Sequence, residues 1–378
     1  MKIVFNALSA RLGGGQTYLI NLFQFVPFYK DLEIRVFAPS SLKLPDHPKA
    51  RRVEPAWPTE NSIVRALWEK WVLPGILKAE KADVLFCPGG VVGACAPAGC
   101  KVATMFRSMI PFDLRVRKSL LLGLQRLRNW LLNRIMLKSM SEADLTIFIS
   151  SYARSVIESL TKAKKTVTIH HGIGSVFWMH GKSTVRPDFL PGKEYILYVS
   201  KFDVYKHHFQ VVSACGELSK EFCERFSLIL VGETNLPEAE RVKALIARLG
   251  LEDRVLLLGA IPYQELPPLY HHAHLNLFAS SYENCPNILL EALASGRPMI
   301  CSNVMPMPEF GVDAAVYFSP FDSQDIGQVL TKVLTNPELL KKLAVAAVAQ
   351  SDEFNWEGAS RKTWSELLAL AKLNKMGV

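Results

Sequence analysis

"SSYENCPNILLEALASGRPMI", Ser280 to Ile300, sets a loop carboxylate, a proline, a small apolar segment and a β-like run in one short stretch. Proline is at home in the first turn of a helix, where its missing N–H costs nothing. Pro286 therefore reads as lying near the start of a helix, with "NILLEALAS" as its body and Gly296 near its end. Glu291 falls about a turn and a half inside that helix, and Glu283 falls in the loop before it. A helix start offers free backbone N–H groups and a positive dipole end, both suited to a phosphate. The stretch thus predicts a phosphorylated ligand, with a carboxylate on either side to grip hydroxyl groups. Two glutamates eight apart are weak evidence alone. On spacing only, Glu283 reads equally well as a solvated loop residue and Glu291 as a local pairing partner.

Outward from this stretch, short apolar runs alternate with helical patterns along the whole chain. "KIVFNAL" is a strand that ends in the glycine turn Gly13–Gly15, and "QTYLINLFQFV" follows with helical spacing. "EIRVFAP", "ADVLFCPGG", "KVATMF", "ADLTIFIS" and "KTVTIHHGI" continue the strand series. Polar, Pro/Gly-bearing "HGKSTVRPDFLPGKE" then reads as a linker. The pattern starts over with "YILYVSKFDVYKH", "FSLILVGE", "RVLLLGAI", "LNLFAS", "PMICSN" and "AAVYFSP", and three helical segments close the chain. Two successive strand–helix series imply two doubly wound sheets facing a cleft. The expected division is 1–178, a linker at 179–193, a second domain at 194–355, and a closing helix at 356–378.

Composition narrows the function. A chain of 378 residues, 49% hydrophobic, fits a two-domain globular enzyme rather than a disordered segment. Residues 1–180 hold 25 Lys+Arg against 12 Asp+Glu, a net +13, whereas the remainder is net −4. The basic half is expected to meet something anionic: nucleic acid, acidic sugar or a membrane surface. Seven cysteines form no Cys-x-x-Cys pair, which favours reduced thiols and a cytoplasmic setting. No signal peptide and no run of about 18 uncharged apolar residues is visible.

"YENCPNILLEALASGRPMICS", "YILYVSKFDVYKH", "ADLTIFIS" and "IHHGI" together resemble glycosyltransferase family 4, a family of the GT-B fold. The resemblance covers nearly all of the C-terminal half, and the N-terminal half mainly at its glycine turn and its end. It implies two Rossmann-like doubly wound domains, an N-terminal one for the acceptor and a C-terminal one for a nucleotide-sugar, with the closing helix crossing back to the N-domain. The activity implied is transfer of a sugar from a nucleotide donor with retention of anomeric configuration. Glu291 would accept hydrogen bonds from both ribose hydroxyls. Glu283 would hold a hydroxyl of the donor sugar. Backbone from Asn284 through Cys285, Pro286, Asn287 and Ile288 would meet the diphosphate at the helix start. Lys201 and Lys206 would offset charge as the nucleoside diphosphate leaves. The family usually carries arginine at the first of these positions, so Lys201 keeps the charge without the bidentate geometry. Gly14 and Gly15 would let the N-domain backbone approach the diphosphate. No cofactor is implied, since the nucleotide-sugar is a substrate. No Asp-x-Asp motif is present, and the histidines of "YHHAH" point in different directions, so no metal site is expected.

"MFRSMIPFDLRVRKS" follows a strand and lies at the cleft edge by the rule for open sheets, which makes Arg107 and Asp113 the acceptor-side candidates. The family's common His-Asp pair is absent there, so no general base is assigned. In "RVRKSLLLGLQRLRNWLLNRIMLKSM", residues 115–140, leucines recur at helical intervals among Arg126, Arg128, Arg134 and Lys138, with Trp130 between them. A basic amphipathic helix can lie in the headgroup plane of an anionic membrane; an ordinary helix covering its sheet has the same periodicity. The expected partners are a nucleotide-sugar, a glycan or lipid-linked acceptor of surface polysaccharide or lipopolysaccharide assembly, and the inner face of a membrane. GDP-mannose or a related GDP-sugar is the first expectation for the donor and a UDP-sugar the second. A nucleic-acid-binding protein using the basic half is the alternative from another class, though no RNA-binding or helix-turn-helix signature supports it.

Overall fold

The computed structural model describes residues 1–11, 13–112, 124–178 and 184–375. The chain divides into two compact units, Met1–Gly172 with Trp356–Val378, and Ile173–Asn355.

The first unit is built on a seven-stranded parallel sheet of β1 (Lys2–Asn6), β2 (Glu33–Phe37), β3 (Ala50–Val53), β4 (Val84–Cys87), β5 (Lys101–Phe106), β6 (Leu145–Phe148) and β7 (Thr166–Thr168). Their spatial order is β3-β2-β1-β4-β5-β6-β7. The central strands are buried along their length, so they read as unbroken apolar runs rather than alternating ones. The order reverses between β1 and β4, and in open parallel sheets ligands sit outside the carboxyl ends at such a point. The turn after β1 opens there into the helix Gly14–Gln24, which Gly13 enters at φ +60°. The closing helix Trp356–Lys375 belongs to this same unit and packs along the helix Gly14–Gln24. Its Trp364 is buried against Phe5 and Phe23.

The second unit carries six parallel strands, β8 (Glu194–Val199), β9 (Phe226–Val231), β10 (Val255–Gly259), β11 (Leu275–Phe278), β12 (Met299–Ser302) and β13 (Val316–Phe318). Their order is β10-β9-β8-β11-β12-β13, which reverses between β8 and β11. Ile196 pairs with Leu275 and Leu197 with Asn276, so the two strands run side by side and their carboxyl ends deliver two loops to one place. Those loops are "SKFDVYK", Ser200–Lys206, and the stretch that begins at Ser280. The helix in that stretch runs Asn287–Ala294. Pro286 stands at its N-cap, one position before the first turn where the sequence pattern sets it. The stop falls where expected: Gly296 adopts φ +68°, the left-handed conformation that ends helices.

Candidate functional site

Lys206 owes its position to a tightly tied loop. Asp203 caps a single turn at Val204–Lys206 by accepting from the Val204 N–H at 2.9 Å, and Tyr198 on β8 donates to the Lys206 carbonyl at 2.6 Å. His207 then turns at φ +53°, a conformation costly for a residue with a Cβ. The strain is held by its ring, whose Nε2 lies 2.7 Å from the Ser281 hydroxyl, and by the Ser281 N–H donating to Tyr205 at 2.8 Å. The two loops are thereby joined.

Across that junction the Lys206 ammonium donates to Glu283 Oε1, and the Ser280 hydroxyl donates to the same oxygen at 2.8 Å. The rings of Phe278 and Tyr205 lie beneath the ammonium, 5.0 Å and 5.3 Å from their centres. The Lys206 side chain is 7% exposed and that of Glu283 17%, so the pair is largely withdrawn from water. An ion pair of this kind stabilises little by itself, because desolvation offsets the attraction, but it fixes charge at one point. Lys206 and Glu283, read separately in the sequence, form one charge-paired unit here, which Ser280 completes. Lys201 is different. It is exposed and paired with Asp203, at 3.3 Å.

Glu291 sits inside the helix Asn287–Ala294 and is buried. Tyr263 donates to its Oε1 at 3.1 Å, and burial pushes the Glu291 carboxyl up to about 8 despite that bond. The helix has no side-chain cap at Pro286; the Asn287 N–H donates to the Cys285 carbonyl at 3.0 Å, and the N–H groups of Ile288 and Leu289 are the first-turn donors that a helix start leaves without intrahelical partners. Asn284 is buried beside this start, and Cys285, Asn287 and Ile288 are half-buried. Lys206, Glu283, Glu291 and the segment from Asn284 to Ile288 thus gather around one helix start at the carboxyl ends of β8 and β11. A fixed cation, a row of backbone donors and two carboxylates suit a ligand that is anionic in one part and hydroxylated in another. Tyr263 and Ser280 are the residues that sequence reasoning missed.

In the first unit, Gly14 and Gly15 lie at the start of their helix, and the guanidinium of Arg107 packs over them. A methyl group at Gly14 or Gly15 would lie 3.2 Å or 3.1 Å from its nitrogens. Arg107 also lies over the Tyr18 ring at 5.7 Å. The sequence reading divides these residues between donor and acceptor; the structure gathers them at one corner. Asp113 lies outside the described residues. Nearby, Glu69 is a carboxylate with no sequence signal: it is buried beside Arg65, at 3.9 Å, and burial raises its carboxyl above the usual range.

The helix Leu124–Glu142 buries Met136 and Met140. It exposes Leu127, Trp130, Leu131 and Ile135, together with Arg126, Arg128, Arg134 and Lys138. Arg134 lies over the Trp130 ring at 5.4 Å. Residues 115–123 of the expected amphipathic segment lie outside the described residues. Among the described residues, no helix is long and apolar enough to cross a membrane.

Residues 12–174 match the family described as Glycosyltransferase Family 4, and residues 184–349 match that described as Glycosyl transferases group 1. The chain is 28% identical over 265 residues to a serotype-specific mannosyltransferase WbdA of Escherichia coli, covering 68% of this chain and 32% of that protein. It is 28% identical over 232 residues to the O-antigen chain mannosyltransferase B of Escherichia coli, covering 60% of this chain and 61% of that one. The chain therefore spans about a third of the one relative's length and about three fifths of the other's. Among solved structures, WaaG, a glycosyltransferase involved in lipopolysaccharide biosynthesis, superposes with a TM-score of 0.73 at 16% identity, over 97% of this chain and 99% of that one. Anabaena HepE in complex with UDP gives 0.72 at 18% identity, over 98% and 100%. At these identities the solved structures establish the fold.

Proposed function

The chain belongs to glycosyltransferase family 4 and has the GT-B fold, and from that premise we propose that it transfers a hexose from a nucleotide-sugar to a glycan acceptor, without a divalent metal and with retention of configuration. The observation that carries this reading is the second unit's switch point, where a buried ammonium, two carboxylates and an uncapped helix start converge. In the proposed mechanism the helix start and Lys206 receive the diphosphate, and the ammonium offsets the charge that grows as it leaves. Glu291 accepts the ribose hydroxyls. Glu283, one oxygen held by Lys206 and Ser280, keeps the other for a hydroxyl of the departing sugar. Leaving group and acceptor occupy the same face of the sugar, which retains its configuration. In the first unit, Arg107 beside Gly14 and Gly15 forms a basic corner of its own. The relatives named as mannosyltransferases, one of them an O-antigen chain mannosyltransferase, support a mannose donor, with GDP-mannose first; the UDP bound in HepE supports a UDP-sugar as second choice.

Titration calorimetry with GDP, UDP, ADP and dTDP, chelator present, tests this reading. One of the four is expected to bind clearly more tightly than the others, and Glu291→Ala is expected to weaken it about tenfold to a hundredfold, the range for hydrogen bonds to a charged group. If none of the four binds, the donor site assigned here is wrong.

The acceptor in this reading is a lipid-linked glycan, supported by the O-antigen relatives and by the helix Leu124–Glu142. Its exposed Leu127, Trp130, Leu131 and Ile135, set among basic residues, suit insertion at an anionic bilayer surface and support a reading in which the protein works at the inner face of the membrane. The protein is expected to co-sediment with vesicles rich in phosphatidylglycerol. Added salt and the double change Trp130→Ser with Leu131→Ser should each reduce that binding several-fold. Equal recovery with neutral and anionic vesicles would remove this element of the reading.

A further inference from the structure

We propose that Tyr263 is a positioning residue for nucleotide binding: its hydroxyl fixes one oxygen of Glu291 so that the other is presented to the ribose diol. The proposal rests on the reading of Glu291 as the ribose acceptor.

Tyr263 opens the single turn Tyr263–Glu265 that follows β10, on a different element from the helix that carries Glu291. Tyr263 is 45% exposed, yet its hydroxyl turns inward to donate to Glu291 Oε1 at 3.1 Å. Two further elements hold it in that orientation. The buried Phe177 packs edge-on against the Tyr263 ring with centroids 4.9 Å apart, and Phe177 in turn packs on Tyr270 at 5.8 Å. Gly174 closes the other side, where a Cβ would lie 3.0 Å from the Tyr263 hydroxyl. A half-exposed tyrosine has many orientations open to it; this one is confined to the orientation that meets the carboxyl.

The carboxyl in question is not saturated by that bond. A carboxylate offers about four acceptor positions, and a single phenol leaves most of them to a ligand. Among the described residues, the titratable groups that face Glu291 are the phenols of Tyr263 and Tyr270, both raised above the usual tyrosine range by burial, and no cation among them compensates it. A vicinal diol supplies two O–H donors, which is what a buried, under-paired carboxylate lacks.

The sign of the pH dependence follows. Burial pushes the Glu291 carboxyl up to about 8, so in the free protein it is mostly protonated at neutral pH. Two donating hydroxyls require the ionised form. Nucleotide affinity therefore rises with pH up to about 8 and levels above it. The Tyr263 hydroxyl donates to the ionised form and favours it, so its removal weakens binding and moves the midpoint to higher pH.

The test is titration of the full chain with GDP and with UDP from pH 6 to 9.5, chelator present, for the wild type, Tyr263→Phe, Gly174→Ala and Glu291→Gln. Glu291→Gln is expected to bind weakly with only the nucleotide phosphate's own pH dependence, which is then subtracted from the others. Tyr263→Phe is expected to lose about tenfold in affinity at pH 7.5 and to titrate at a higher midpoint. Gly174 has φ −62°, which alanine adopts freely, so Gly174→Ala pushes the hydroxyl, and the ring that carries it, a few tenths of an ångström from its place while keeping the phenol, and should shift the profile in the same direction. If Tyr263→Phe and Gly174→Ala keep the wild-type affinity and midpoint while Glu291→Gln loses the nucleotide, the positioning role is wrong and the ribose reading stands. If Tyr263→Phe loses affinity evenly at every pH, Tyr263 serves packing alone and the proposal also fails. If Glu291→Gln binds as the wild type does, the ribose reading itself is wrong.

Discussion

Lys206→Ala is expected to lower the rate of sugar transfer at saturating donor by roughly a hundredfold to a thousandfold, the range found when one fixed donor to a developing negative charge is removed. The ammonium is held by Glu283, by the ring faces of Phe278 and Tyr205 and by a main chain pinned through Tyr198, so little reorganisation is needed as the leaving group's charge grows. Its removal also leaves Glu283 with only the Ser280 hydroxyl on that oxygen, in a place with little water. Some loss of stability is therefore expected alongside the loss of rate. Lys206→Met separates the two effects, because it fills the same channel without charge: the rate should fall as far as in the alanine variant while the melting temperature recovers part of its loss. Lys201→Ala is the internal comparison. Its side chain is 58% exposed and paired with Asp203, so water screens it, and its loss should cost about tenfold or less. Lys206 variants that remain folded and transfer sugar within a few-fold of the wild type would remove this lysine from the mechanism.

Which parts of this site were legible in the sequence follows from how far apart its partners lie along the chain. The helix Asn287–Ala294 is a local object, and Pro286 and Gly296 mark its two ends within one stretch. Glu291 and Glu283 were visible for the same reason. The pairing of Lys206 with Glu283 was not, because the two residues are 77 apart and meet only through the adjacency of β8 and β11. Tyr263 gave no signal at all, since a tyrosine in a polar turn looks like any surface residue until the chain brings Glu291 within reach. Arg107 was legible as a cation after β5 but not as the neighbour of Gly14 and Gly15, which depends on how β1, β4 and β5 are ordered. The helix Leu124–Glu142 shows a different limit. Helical periodicity reports that one face is apolar, not which medium covers it, and here Leu127, Leu131 and Ile135 of that pattern are exposed while Met136 and Met140 are buried.

Trp364→Ala is expected to destabilise the first unit by about 3–5 kcal/mol, the range for removing a large aromatic from a core. The indole is 1% exposed. Its ring lies 5.5 Å from Phe5 on β1 and 6.0 Å from Phe23, and its Nε1 donates to the Leu22 carbonyl at 2.9 Å. Truncation removes the ring contacts, leaves a cavity between strand and helix, and takes from the Leu22 carbonyl the shorter of its two hydrogen bonds, the other coming from the Phe25 N–H at 3.4 Å. On one flank Thr363 meets the Tyr18 hydroxyl at 3.5 Å; on the other, Leu367 and Ala371 are fully buried. The last residues of the chain thus complete a core whose sheet is laid down by the first. Because the two units have separate cores, the loss should be local. Calorimetry is expected to show the first unit's transition lowered by roughly 10 °C, at 2–4 °C per kcal/mol for a unit of this size. Hydrogen exchange should quicken in β1 and in the helix Gly14–Gln24, while β8 and β9 keep their protection. An unchanged melting profile would mean that the closing helix contributes little to the first unit. Accelerated exchange in β8 and β9 as well would mean that the two cores unfold as one.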